Sequence, residues 1–118
     1  MTQVYRITRD SKLVRDLKSL YDFACQVCGL HIQTLQGSPY IEVHHVQALG
    51  GDHAGLDIQA NMLVLCPNHH AMFDLGIPRF LSPKRIEIEG VAHNLITKHE
   101  LLPQFIEYHN SHWQTLNL

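Results

Sequence analysis

Cys66-Pro67-Asn68-His69-His70-Ala71-Met72-Phe73-Asp74-Leu75-Gly76 is the stretch whose reading decides the fold. A cysteine and a histidine with two residues between them, Cys66 and His69, can be aimed at a single metal ion from one tight turn. Upstream, Cys25-Gln26-Val27-Cys28 has the same spacing, and Gly29 follows where such a turn often requires positive φ. Cys25, Cys28, Cys66 and His69 together make a complete Cys₃His set for structural zinc, using all three cysteines of the chain. An odd number of cysteines excludes an even disulfide framework. Buried thiols of a reduced protein are the alternative, and both spacing and count favour metal.

That set leaves His44, His45 and His70 unused. After Pro67, the segment from Asn68 to Leu75 reads as a short helix, with Asn68 as N-cap and Gly76 closing it. On such a helix His70 and Asp74 stand at i and i+4 on one face, while His69 is turned away by about 100°. Adjacent histidines can thus serve different metals. Tyr40 to Val43 alternates, and Met62-Leu63-Val64-Leu65 is a short apolar run, so two strands are expected around a long loop from His45 to Asn61. Successive strand side chains face opposite ways, which gives His44 and His45 different roles.

The residues from about Tyr21 to Gly76 resemble the HNH, or ββα-metal, nucleases. The resemblance rests on Cys-x-x-Cys-Gly, Glu42-Val43-His44-His45, an Asn before the second strand, and Leu65 to Asp74. It implies that His44 ligates a catalytic metal, His45 is the general base, Asn61 braces the loop and His70 is a second protein ligand. Asp74 matches a position that supplies a third ligand in some members. One departure is His69, where a fourth Cys is more usual; zinc accepts either. The implied reaction is hydrolysis of DNA phosphodiester bonds. A neutral histidine near its unperturbed pKa of about 6.5 can take a proton from water, and one divalent ion would stabilise the departing oxygen. Mg²⁺, Mn²⁺, Ni²⁺, Co²⁺ and Zn²⁺ are the candidate ions, and a two-histidine site leans toward transition metals. Likeness to nuclease domains of restriction enzymes suggests a host-defence or mobile-element setting, by analogy alone.

A length of 118 residues suits one domain, 1–118, with a motif core at about 21–76, and 45% hydrophobic residues is ordinary for a globular chain. The start, Met1-Thr2-Gln3-Val4-Tyr5-Arg6, lacks an apolar signal region, and no run approaches a membrane span, so a cytoplasmic protein without a membrane partner is expected. No small-molecule organic cofactor is expected.

The net charge of −2 argues against gripping nucleic acid by bulk electrostatics. Its distribution is uneven: residues 1–24 carry Arg6, Arg9, Lys12, Arg15 and Lys18 against Asp10, Asp16 and Asp22. A helix from about Ser11 to Phe23 would set Lys12, Arg15 and Lys18 along one side as a DNA-binding stripe. A solvated amphipathic helix with Leu13, Leu17 and Leu20 inward is the competing reading.

Beyond Gly76, Arg79 to Leu81 and Arg85 to Gly90 read as a hairpin around Ser82-Pro83. Thr97-x-x-Glu100 resembles a capping box for one short turn, followed by a helix from Pro103 to about Trp113. Phe105, Ile106 and Trp113 either dock on the domain or make a homodimer contact. His53 reads as a loop residue, and His31, His93, His99, His109 and His112 have no assigned role.

The expectation is therefore an α+β protein with a ββα-metal (His-Me finger, treble-clef-like) core, a structural zinc knuckle, an N-terminal helix and C-terminal strand and helix additions. Its expected function is a metal-dependent endonuclease acting on DNA. The competing class is a non-enzymatic, zinc-stabilised module that binds DNA or a protein partner.

Overall fold

Met62–Leu65 is an apolar run in which all four residues are buried, and the rest of the chain is arranged around it. The computed structural model describes residues 11–116, with side chains through residue 114; Arg6, Arg9, Asp10 and the rest of the first ten residues lie outside the described residues. In chain order the elements are α1 (Lys12–Leu20), β1 (Ile32–Gln33), β2 (Pro39–Tyr40), β3 (Glu42–His45), a 3₁₀ turn (Gln59–Asn61), β4 (Met62–Leu65), α2 (Pro67–Asp74), β5 (Pro78–Ser82), β6 (Arg85–Ile88), β7 (Val91–Asn94) and α3 (Pro103–Leu116). They form three antiparallel ribbons, β1-β2, β3-β4 and β5-β6-β7. No helix among the described residues is long and apolar enough to cross a membrane.

β4 pairs with β3 in the register Glu42↔Leu65, Val43↔Val64, His44↔Leu63 and His45↔Met62. An open strand edge presents unpaired backbone groups, and buried Gln26 covers this one. Its backbone N–H donates to Val64 O at 2.9 Å, its Oε1 accepts from Val64 N at 2.9 Å, and its Nε2 donates to Ile96 O at 2.8 Å. One glutamine thus ties the Cys25–Cys28 turn to β4 and to the segment after β7. At the other end of the sheet system, Asn110 of α3 fastens to β5: its Oδ1 accepts from Phe80 N at 3.0 Å and its Nδ2 donates to Phe80 O at 2.9 Å.

Helix α2 has eight residues, too few to persist alone in water. Phe73 anchors it, 1% exposed, with its ring 5.9 Å from Phe80 and 5.6 Å from His109. Burial of one such side chain contributes about 1.5–3 kcal/mol. Gly76, at φ +75°, ends the helix and lies where any Cβ would meet the Trp113 ring at 2.2 Å. Phe105 and Ile106 are also buried, so the apolar side of α3 docks on the chain's own core.

Several expectations are corrected. Helix α1 is shorter than Ser11–Phe23: Ser11 is its N-cap, accepting from Val14 N at 3.2 Å, and Asp22 and Phe23 have left-handed φ of 53° and 58°. Its buried residues are Val14 and Leu17, followed by Tyr21 just past the helix, whereas Leu13 and Leu20 are exposed. The apolar stripe runs i, i+3, i+7 rather than through every leucine. Tyr40 belongs to β2 and pairs with Ile32, so the strand bearing the histidines starts at Glu42 and reaches His45. Cys66, not Asn68, is the N-cap of α2, because Pro67 has no N–H to leave unpaired and takes the first helical position. A third strand, β7, was not expected. It follows a two-residue turn, Glu89-Gly90, with φ of +50° and +86°, the sign pattern of a type I′ hairpin. No capping box forms at Thr97, whose Oγ1 donates to Leu95 O at 3.1 Å, and α3 runs to Leu116 rather than Trp113.

Candidate metal centres and active site

Cys25, Cys28, Cys66 and His69 come together as a group of potential metal donors. Backbone turns set the first pair: Cys25 N donates to Leu30 O at 3.0 Å, Gly29 N donates to Cys25 O at 2.8 Å, and Gly29 has φ +76°. The cap position of Cys66 directs its sulfur at the same point. The distances are Cys28 Sγ to Cys66 Sγ 3.9 Å, Cys25 Sγ to His69 Nδ1 3.6 Å and Cys66 Sγ to His69 Nδ1 3.3 Å. A tetrahedral zinc with ordinary bond lengths has edges of about 3.5–3.8 Å between its donors. The three distances lie close to those edges, so the group could hold zinc, with His69 offering Nδ1. Desolvation, with a smaller contribution from the neighbouring Cys25 and Cys66, pushes the Cys28 thiol up to about 11, although the residue as a whole is exposed. Holding three sulfurs this close as thiolates requires a cation. Desolvation, aided by His93, holds His69 below the usual histidine value, in the neutral form a metal binds.

A second group joins β3 to α2: His44, His70 and Asp74. His44 is buried, with its Nδ1 3.5 Å from Asp74 Oδ1, and its Nε2 is a buried side-chain atom with no hydrogen-bond partner among the described residues. Burial pushes its pKa down, against the opposing pull of Asp74, so the ring stays neutral. Leaving a buried nitrogen unsatisfied costs about 1–3 kcal/mol. A ring with an unspent nitrogen beside a second imidazole and a carboxylate fits a metal site. His70 Nδ1 donates to Glu42 Oε1 at 2.7 Å, and its Nε2 faces Asp74 Oδ2 at 3.8 Å. Glu42 in turn accepts from Tyr40 Oη at 2.5 Å. A carboxylate on the outer nitrogen fixes the tautomer and makes the inner nitrogen a better ligand.

His45 is turned away from this group. Its Nε2 lies 2.9 Å from Asp57 Oδ1, across the loop between β3 and the 3₁₀ turn. Asn61 is completely buried and makes three hydrogen bonds through its side chain, accepting from Gln47 N at 2.8 Å and donating to Gln47 O and Leu56 O at 2.9 Å each. Its amide thereby spans both ends of the loop. Lys12, Arg15 and Lys18 lie on α1, outside both donor groups, and Lys12 Nζ is ion-paired with Asp16 at 2.7 Å.

Sequence reading missed two residues of the site. Glu42 had a usable signal, because a strand puts residues i and i+2 on one face, and it stands two before His44. Asp57 had none: it lies in irregular chain, twelve residues from its partner. A cavity of about 260 Å³ adjoins His44, His45 and Asp74, walled on its far side by His53, Tyr108 and Trp113. His53, read as a plain loop residue, meets α3 there, with its Nδ1 2.5 Å from Tyr108 Oη.

Residues 25–77 match the family model described as HNH endonuclease. The match spans just under half of the chain and takes in every residue of the two donor groups. Among solved structures, this chain is similar to one titled modification-dependent TagI restriction endonuclease, at 32% identity and a TM-score of 0.80. The similarity covers 88% of this chain and 38% of that one, so this chain spans well under half the length of its structural relative. No functionally curated protein matches it. The family model and the structural relative are both described as endonucleases.

Proposed function

We propose that this chain hydrolyses DNA phosphodiester bonds, with zinc on Cys25, Cys28, Cys66 and His69 and one divalent catalytic ion on His44, His70 and Asp74. The observation that carries the reading is the division of the adjacent histidines: His44 is buried against the α2 donors, and His45 bonds a loop carboxylate instead. Separate placement keeps His45 available as a base, able to take a proton from water near neutral pH. Asn61 holds the loop that faces it. When bound, the ion would polarise the scissile phosphate and neutralise charge on the departing oxygen. Two imidazoles and one carboxylate suit Mn²⁺, Co²⁺, Ni²⁺ or Zn²⁺ better than Mg²⁺.

The test is nicking of supercoiled plasmid by zinc-loaded protein across these ions, alongside His70→Ala. The parent is expected to cut. His70→Ala should lose at least about 10–100-fold in activity, the range found for outer-shell partners alone, and regain part of it at higher metal concentration. A parent inert with every ion would reject the nuclease reading in favour of a binding module. The relative's title attaches modification dependence to a chain more than twice as long. We accordingly place the reading of DNA modification outside these residues, which predicts equal cutting of modified and unmodified plasmid; a clear preference would reverse that assignment.

Lys12, Arg15 and Lys18 are proposed as backbone phosphate contacts. Replacing all three with Gln should flatten the dependence of log affinity on log salt by up to about 2–3 units, since each neutralised phosphate contributes about 0.9. An unchanged slope would assign α1 a purely structural role.

A further inference from the structure

Asp57 bonds His45 directly, and its own backbone is pinned on both sides. Leu56 O accepts from Asn61 Nδ2 at 2.9 Å, and Ile58 O accepts from Asn61 N at 2.9 Å. Next in sequence, Gln59 Nε2 donates to Leu13 O at 3.0 Å, fastening this end of the loop to α1. The carboxylate is therefore presented from a fixed point rather than from a free loop tip. It is half-exposed, with 49% of its side chain accessible against 16% for His45, so the pair adds little to folding stability and its geometry needs another reason.

From this arrangement we infer that Asp57 is a positioning residue for His45: it accepts the Nε2–H, fixes that tautomer, and leaves Nδ1 as the nitrogen that takes the proton from water. An imidazole can serve as a base only through the nitrogen that carries no hydrogen, and the hydrogen bond on the other nitrogen decides which one that is. A carboxylate in this place also holds the ring plane and stabilises the imidazolium formed after proton transfer, as the buried aspartate does in a Ser-His-Asp triad. Asn61 acts on the base through Asp57, because its amide and backbone hold the carbonyls on either side of it. The inference rests on the nuclease reading above and assigns the proton-transfer geometry within it.

The test uses zinc-loaded full-length protein and two readouts. Single-turnover cleavage by Asp57→Ala should fall about 10–100-fold, as for other outer-shell partners, with DNA affinity and zinc content unchanged, and Asp57→Glu should recover part of the loss. In ¹⁵N-histidine-labelled protein at mildly alkaline pH, the His45 signals, assigned by their disappearance in His45→Ala, should report the Nε2–H tautomer in the parent and a mixture in Asp57→Ala. The tautomer measurement needs no substrate, so it separates the two ideas. An active parent whose rate and tautomer both survive Asp57→Ala overturns the inference alone. A loss matched by weaker DNA binding also overturns it, by making Asp57 a loop-folding residue. A parent that cuts no DNA removes the nuclease reading and the role with it.

Discussion

His45→Ala is expected to bind DNA and both metals as the parent does and to cut about 10²–10⁴-fold more slowly, the usual contribution of a positioned general base. The separation of effects follows from where the side chain lies. His45 is outside both donor groups, so truncation removes no ligand. Its partner Asp57 is half-exposed, so truncation leaves that carboxylate to water. A loss confined to the cleavage step, with unchanged metal content and DNA affinity, is the signature of a group used only in the transition state. The measurement is single-turnover cleavage under saturating protein, with metal content from the same preparation. Undiminished turnover would remove His45 from the mechanism; loss of the α2-bound ion would make it a ligand instead.

Removing the Cys₃His ion should have the other large effect, on folding itself. Cys66→Ser, or chelation of the parent, is expected to abolish the cooperative thermal transition, because apparent binding free energies for structural zinc of about 10–16 kcal/mol exceed or match the entire stability of a small domain. Cys66 is 1% exposed and joins β4 to α2, so loss of its sulfur removes the donor that ties both elements to Cys25, Cys28 and His69. Without a cation the cluster crowds three sulfurs and an imidazole within 4.8 Å, with the Cys28 thiol held protonated. Calorimetry or circular dichroism with and without chelator, and with zinc restored, checks this. A chelated protein that still melts cooperatively near the parent temperature would show that the core stands without the ion.

The elements around the donors were legible because their residues are constrained by chemistry at short range. Cys-x-x-Cys with Gly29, the apolar run of β4, and the i, i+4 pair His70 and Asp74 each signal their geometry within a few positions. Where the deciding interaction was distant, the reading failed. Leu13 and Leu20 look as apolar as Leu17, and only packing on β3 and the 3₁₀ turn selects Val14, Leu17 and Tyr21. β7 was hidden because Glu89 takes a positive φ without being Gly, Asn or Asp, the residues that announce a type I′ turn. The Glu42–His70 and Asp57–His45 bonds join residues 28 and 12 positions apart and become visible only when the chain is folded.

His69 and His70 share a single peptide link on an eight-residue helix yet belong to different donor groups. That bond is a mechanical constraint. With an ion on Cys66 and His69, that end of α2 would be fixed, and its orientation would carry to His70, the next residue, and to Asp74, one turn beyond. On the proposed roles, filling the first donor group would set the aim of the second. Zinc supply would then act as a licence for cleavage, and a protein synthesised without it would be disarmed before it meets DNA.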